Sequence, residues 1–139
     1  MLPAVLKMLP ALLLSTAALA AGPKTHFVDH SSDLLIDAAA AKAVMGEIVP
    51  AKVWKVYPAS KWALVSQVEG GMKGSTCVVS ARVMLLPLTP TVKAVLFRPE
   101  KTATAFDAAA NSSTDACKAL AKDKLKEATG AVVSALIKA

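Results

Sequence analysis

Catalytic and ligand-binding residues are sparse in this chain. It holds two histidines, two cysteines and six aromatic residues (4 %) in 139 positions. No Cys-x-x-Cys occurs, which argues against thioredoxin-type exchange. No Gly-x-Ser-x-Gly occurs, so a hydrolase built on that strained turn lacks its nucleophile. "GGMKGST" (70–76) has the glycines, lysine and hydroxyl of a phosphate loop, but the lysine precedes its glycine and the order fails. His26 and His30 stand with Asp29 in "THFVDH" and could be imagined as metal ligands. They lie in one short segment, whereas a catalytic metal wants ligands held rigidly from several elements. A triad would need the same histidines and meets the same objection. The acids Glu69, Glu100 and Asp107 are not spaced as a pair facing across a cleft. No catalytic, cofactor-binding or metal-binding residue is therefore assigned, and no cofactor is expected.

Long apolar runs are also missing. Met8–Leu14 follows a single positive charge, Lys7, and leads to Ala18-Leu19-Ala20, the A-x-A pattern of a cleavage site. A membrane-spanning helix needs about 20 apolar residues, so no stable anchor is expected. The pattern predicts a bacterial Sec-type signal peptide over 1–20, cleaved after Ala20. The product would be periplasmic or secreted, a single α+β domain over 21–139 with a loose segment at 21–31.

What the chain does have is positive charge, unevenly spread. The whole chain carries +6. Residues 51–101 hold eight basic side chains against only Glu69 and Glu100. Those eight are Lys52, Lys55, Lys61, Lys73, Arg82, Lys93, Arg98 and Lys101.

Periodicity gives a helix, a sheet and a helix. Ser31, Ser32 and Asp33 are good N-caps ahead of an apolar stripe at Leu34, Ala38, Ala41, Met45 and Ile48, which predicts a helix over about 32–47. Pro50 can open a short helical turn that places Val53, Trp54 and Tyr57 on one side, apart from Lys52 and Lys55. From Lys61 the period becomes two. Trp62, Leu64, Ser66 and Val68 face one way, and Ala63, Val65, Gln67 and Glu69 the other. "EGGMKGS" (69–75) reads as a turn with Met72 and Lys73 at its tip. In the next run Cys77, Val79, Ala81, Val83 and Leu85 form a wholly apolar face, opposite Thr76, Ser80 and Arg82. "VKAVLFR" (92–98) and "TATAFDA" (102–108) complete an antiparallel meander of about four strands. After caps at Ser113 or Thr114, Cys117, Leu120, Ala121, Ala128, Val132 and Leu136 share a helical stripe, with Leu125 at its border and Gly130 as a point of weakness.

Cys77 lies on the apolar strand face and Cys117 on the apolar helix stripe. Packing the helix on the sheet brings both sulfurs into one interface. One disulfide is expected, closing a loop worth about 4 kcal/mol on chain-entropy grounds.

Three functional readings follow. The leading one is an exported, non-enzymatic module that binds an envelope protein or anionic polymer through a basic sheet surface. Candidate contacts are Lys55, Lys61, Lys73 and Arg82, with Trp54, Tyr57 or Trp62 at the edge. The exported address disfavours nucleic acid. The second is an inhibitor or immunity protein that plugs a periplasmic enzyme with Met72 and Lys73 of the 69–75 turn. The third is an enzyme of unassigned type. For the aromatic stretch itself, inward packing of the rings with solvated lysines is the favoured reading.

Overall fold

The computed structural model describes residues 24–137. The leader and its cleavage point lie outside the described residues. The architecture is α+β: a four-stranded sheet in the order β1-β2-β3-β4, with helices on one face. In chain order the elements are β1 (Phe27–Asp29), α1 (Ala38–Ile48), α2 (Ala51–Val56), β2 (Trp62–Lys73), β3 (Thr76–Pro87), β4 (Lys101–Ala109) and α3 (Thr114–Leu136).

β2, β3 and β4 form the expected antiparallel meander, but β1 runs parallel to β2, so the sheet is mixed. Part of the segment expected to be loose is therefore an edge strand. Its anchor is polar. Asp29 Oδ1 accepts from the Ser66 hydroxyl at 2.6 Å and from the Ser31 hydroxyl at 2.6 Å. The Ser31 oxygen in turn accepts from the Val68 N–H at 2.8 Å. Its apolar anchor is Phe27, whose ring meets Trp54 edge-on at 5.4 Å.

The first helix begins later than the sequence predicts, at Ala38 instead of 32. Ser31 is occupied in the strand network and cannot cap. Asp37 does so, accepting from the Ala40 N–H at 2.7 Å. The segment before it makes a turn over 33–35 and buries Leu35 and Ile36, leaving Leu34 73 % exposed. The buried face of α1 is Ala41, Val44 and Met45. Ala41 and Met45 of the expected stripe are inside and Ile48 is half-buried, while Leu34 and Ala38 are exposed and Val44 takes their place.

A second correction concerns 92–98. Val95 makes only an isolated bridge to Leu88, and no strand forms there. Pro87, Pro90 and Pro99 break up this stretch, and β4 already occupies the edge of β3. The segment instead covers one end of the sheet's outer face, where Ala63, Val65, Met84, Leu86 and Leu88 form a small second core with Val28 and Val95. A third correction is the 69–75 turn. β2 runs through Lys73 and pairs Met72 with Cys77, so the turn is only Gly74-Ser75.

The main core lies between sheet and helices. Cys77, Val79, Ala81, Val83 and Leu85 are completely buried, as their alternation predicts. α3 covers them with Cys117, Ala121, Leu125, Ala128 and Val132, in one unbroken helix capped by Ser113 through the Ala116 N–H at 3.1 Å. Gly130 does not divide it. The buried Thr129 hydroxyl satisfies itself on the Leu125 carbonyl at 2.7 Å. Cys77 and Cys117 are bonded, 40 residues apart in sequence, with Cα atoms 5.4 Å apart.

Candidate binding surface

Among the described residues, helices cover only one face of the sheet. Positions that pair across strands share a face, so the register names the residues of the other. They are Gln67 and Glu69 of β2, Ser80 and Arg82 of β3, and Thr102, Thr104 and Phe106 of β4. Toward Pro87 this face is sealed by the second core. The open surface is thus the half around Arg82.

Arg82 is exposed and makes no ion pair with an acid among the described residues. Glu69 stands one pair further along, but its carboxylate accepts from the Gln67 amide at 2.9 Å. Gln67, Glu69, Ser80 and Arg82 line a polar depression of about 170 Å³. Gln67 also borders a second, largely apolar groove of about 310 Å³ with His30, Val65, Met84, Leu86, Val95 and Phe97. Phe97 (75 % exposed) and Phe106 (65 %) leave two rings in water near this track. Phe106 stands directly across from Ser80, and Thr104 across from Arg82.

Sequence reasoning had selected Arg82 but not Gln67, Thr104, Phe97 or Phe106. The signal for two of them was present in "TATAFDA", where alanines alternate with Thr102, Thr104 and Phe106. Reading that period as an exposed face would have found Thr104 and Phe106.

The remaining candidates are dispersed. Trp54 is only 5 % exposed, and its indole N–H has no hydrogen-bond partner among the described residues. It is core, not edge. Tyr57 and Trp62 are half-buried and meet edge-on at 5.4 Å. Lys55 is exposed on α2. Lys61 and Trp62 line a cavity of about 360 Å³ with Pro87, Leu88, Pro90 and Lys93 at the end of the sheet. Pro87 lies five residues from Arg82, about 17 Å along the strand, so one small ligand cannot touch both places. Lys73 is exposed beside the Gly74-Ser75 turn, while Met72 packs against the main core. A plug at that turn would have Lys73, Gly74 and Ser75 to work with, not Met72.

His26 and His30 are bound into the sheet through their backbones. The Leu64 N–H donates to the His26 carbonyl at 2.9 Å, and the His30 N–H donates to the Ser66 carbonyl at 2.8 Å. Among the described residues no three His, Cys, Asp or Glu side chains gather as a metal site. Among them, too, no helix is long and apolar enough to cross a membrane. Lys124, on α3, approaches Glu127 at 2.7 Å and Asp107 at 3.8 Å. The hydrogen bond to Glu127, with the two nearby negative charges, holds its ammonium above the ordinary lysine range.

No protein-family model and no curated protein matches the chain. Among solved structures it is similar to PelC from Paraburkholderia phytofirmans, determined as a dodecamer in two crystal forms. A single-substitution variant of that protein aligns with a TM-score of 0.46 at 13 % identity, over 81 % of this chain and 90 % of that chain. The other form gives 0.43 at 13 % identity, over 79 % and 87 %.

Proposed function

We propose that this chain is an exported, non-catalytic module whose open sheet face binds an anionic, hydroxyl-rich polymer of the cell envelope. The carrying observation is the composition of that face. One unpaired guanidinium, Arg82, stands among an amide (Gln67), two hydroxyls (Ser80, Thr104) and two exposed rings (Phe97, Phe106). A guanidinium presents a planar fork of donors that matches a carboxylate or phosphate. Amide and hydroxyl groups suit sugar hydroxyls, and flat rings suit the apolar faces of sugars. The surface is shallow and extends along the strands, which favours a chain-like ligand over a small enclosed one. The leader pattern and the buried Cys77–Cys117 bond both support an oxidising, extracytoplasmic compartment. The surface offers no pair of groups in position for proton transfer or nucleophilic attack, which supports binding without turnover.

The test uses a polymer whose charge can be removed. Binding to polygalacturonate and to its fully methyl-esterified form is compared by calorimetry. The acidic form should bind, and more weakly as salt rises, because exposed charges are screened over about 8 Å at physiological ionic strength. Arg82→Ala and Phe106→Ala should each weaken binding while Lys55→Ala does not. Equal binding to both polymers, salt-insensitive binding or none overturns the reading.

A further inference from the structure

β4 is the outer strand of the sheet on the side away from β1, and its free edge can be read residue by residue. The Leu64 N–H donates to His26 and the Ser66 carbonyl accepts from His30, so the even-numbered residues of β2 aim their peptide groups at β1. Peptide groups alternate sides along a strand. Ala63, Val65, Gln67 and Glu69 therefore bond to β3, where they pair with Leu86, Met84, Arg82 and Ser80. The odd-numbered residues of β3 are left for β4, opposite Lys101, Ala103, Ala105, Asp107 and Ala109. The peptide groups of Thr102, Thr104, Phe106 and Ala108 consequently point away from the sheet. The Ala108 N–H is satisfied by the Asp107 carboxylate at 2.8 Å. No bond from Thr102, Thr104 or Phe106 to another segment occurs among the described residues.

Such an edge is a template for another strand unless it is blunted by proline, a bulge or inward charge. β4 contains no proline, and its nine-residue register with β3 is unbroken. Its two charges on the helix-bearing side, Lys101 and Asp107, are opposite in sign and stand toward its two ends, Asp107 within 3.8 Å of Lys124 of the same chain. We propose that a second copy of this chain pairs there, β4 antiparallel to β4, about a two-fold axis at Thr104. The sequence of the strand selects both occupant and register. With Thr104 facing Thr104, Lys101 stands opposite the second copy's Asp107 at both ends of the pairing. Both charges lie on the helix-bearing face. Thr102 stands opposite Phe106 on the open face. Opposite charges across strands stabilise a pair, and like charges oppose it. Sliding by two residues in either direction leaves Lys101 opposite an alanine, and parallel pairing sets Lys101 against Lys101. In the Thr104 register the edge-facing peptide groups of Thr102, Thr104 and Phe106 meet one another, giving about six new hydrogen bonds in a closed, symmetric contact. This pairing does not depend on the polymer reading. It would place the Arg82 faces of both copies on one continuous sheet.

Sedimentation velocity over micromolar to millimolar concentration should show a monomer–dimer equilibrium. Thr104→Pro removes an N–H that the β3 ladder does not use, so the fold should persist while dimerisation weakens by about tenfold or more. Lys101→Glu should weaken it as well by facing Asp107 with like charge. Thr104→Cys should form an interchain disulfide on a non-reducing gel. Thr102→Cys should not, because the two Thr102 positions lie about 13 Å apart along the paired strands. A chain monomeric at every concentration, an oligomer indifferent to Thr104→Pro and Lys101→Glu, or cross-linking at 102 in preference to 104 overturns the proposal. Should Thr104→Pro fail to fold, Lys101→Glu and the two cysteine variants decide it.

Discussion

The Asp29 carboxylate and the Ser66 hydroxyl meet at 2.6 Å across the parallel β1–β2 pair, and Ser66 is completely buried. A buried hydroxyl that loses its partner bears its desolvation penalty uncompensated. Asp29→Ala should therefore cost about 1–3 kcal/mol and loosen β1, whereas the paired change to Asp29→Ala with Ser66→Ala should cost less than the sum of the two single changes. Urea denaturation of the three variants checks this. Strict additivity would show that the two side chains are not coupled.

Reduction of the Cys77–Cys117 bond should lower stability by about 4 kcal/mol, since it releases a 40-residue loop in the unfolded chain. The measurement is the denaturation midpoint with and without a phosphine reductant. Because both sulfurs are buried, reduction should be slow in buffer and fast in mild denaturant.

Gly70 is the glycine of the β2–β3 hairpin at which an added side chain would meet backbone. Its φ is +128°, and an added Cβ would fall 2.0 Å from the Val78 carbonyl oxygen, so backbone must move. Gly74, at φ +62°, has open space where a Cβ would go. Gly70→Ala should destabilise by about 3 kcal/mol or more, and Gly74→Ala by about 1 kcal/mol. Thermal unfolding of the two variants should separate them clearly.

Lys124 supplies a pH dependence whose sign is fixed. Its ammonium is held above the ordinary value of 10.5 by the hydrogen bond to Glu127 first, then by the charges of Glu127 and Asp107. A raised lysine stabilises the fold wherever it is protonated in both states, and that contribution fades as pH rises through the raised value. The stability difference between wild type and Lys124→Met should thus be flat from pH 7 to about 9 and shrink above about 10.5. Chemical denaturation at a series of pH values reads this directly.

Much of the architecture was legible where periodicity and burial agree. Cys77, Val79, Ala81, Val83 and Leu85 alternate without exception, and the face they define is the one α3 covers. The cysteine pairing followed from that geometry. The misreadings arose where a local signal was overruled by a distant partner. Ser31 looks like a helix cap, yet it spends its hydroxyl on Asp29 and Val68, more than thirty residues of chain away in the latter case. "FVD" is too short to announce a strand, and its pairing with Leu64–Ser66 is visible only in three dimensions. The stretch 92–98 is an apolar run of strand length, but the edge it would need belongs to β4. The candidate surface was half legible for the same reason. Arg82 announces itself by charge, while Phe106 matters only because the register sets it beside Ser80.

The sulfur bridge joins α3 near its first turn, at Cys117, and leaves the helix to run on for nearly twenty residues to Leu136. That makes the helix a cantilever: riveted at its root, with its far end held by contact alone. Tension applied at the carboxyl end should peel it from the sheet turn by turn and stop at the rivet, leaving the β2–β3 hairpin standing. Amide exchange should trace the same polarity, slow at Ala121 and progressively faster toward Leu136.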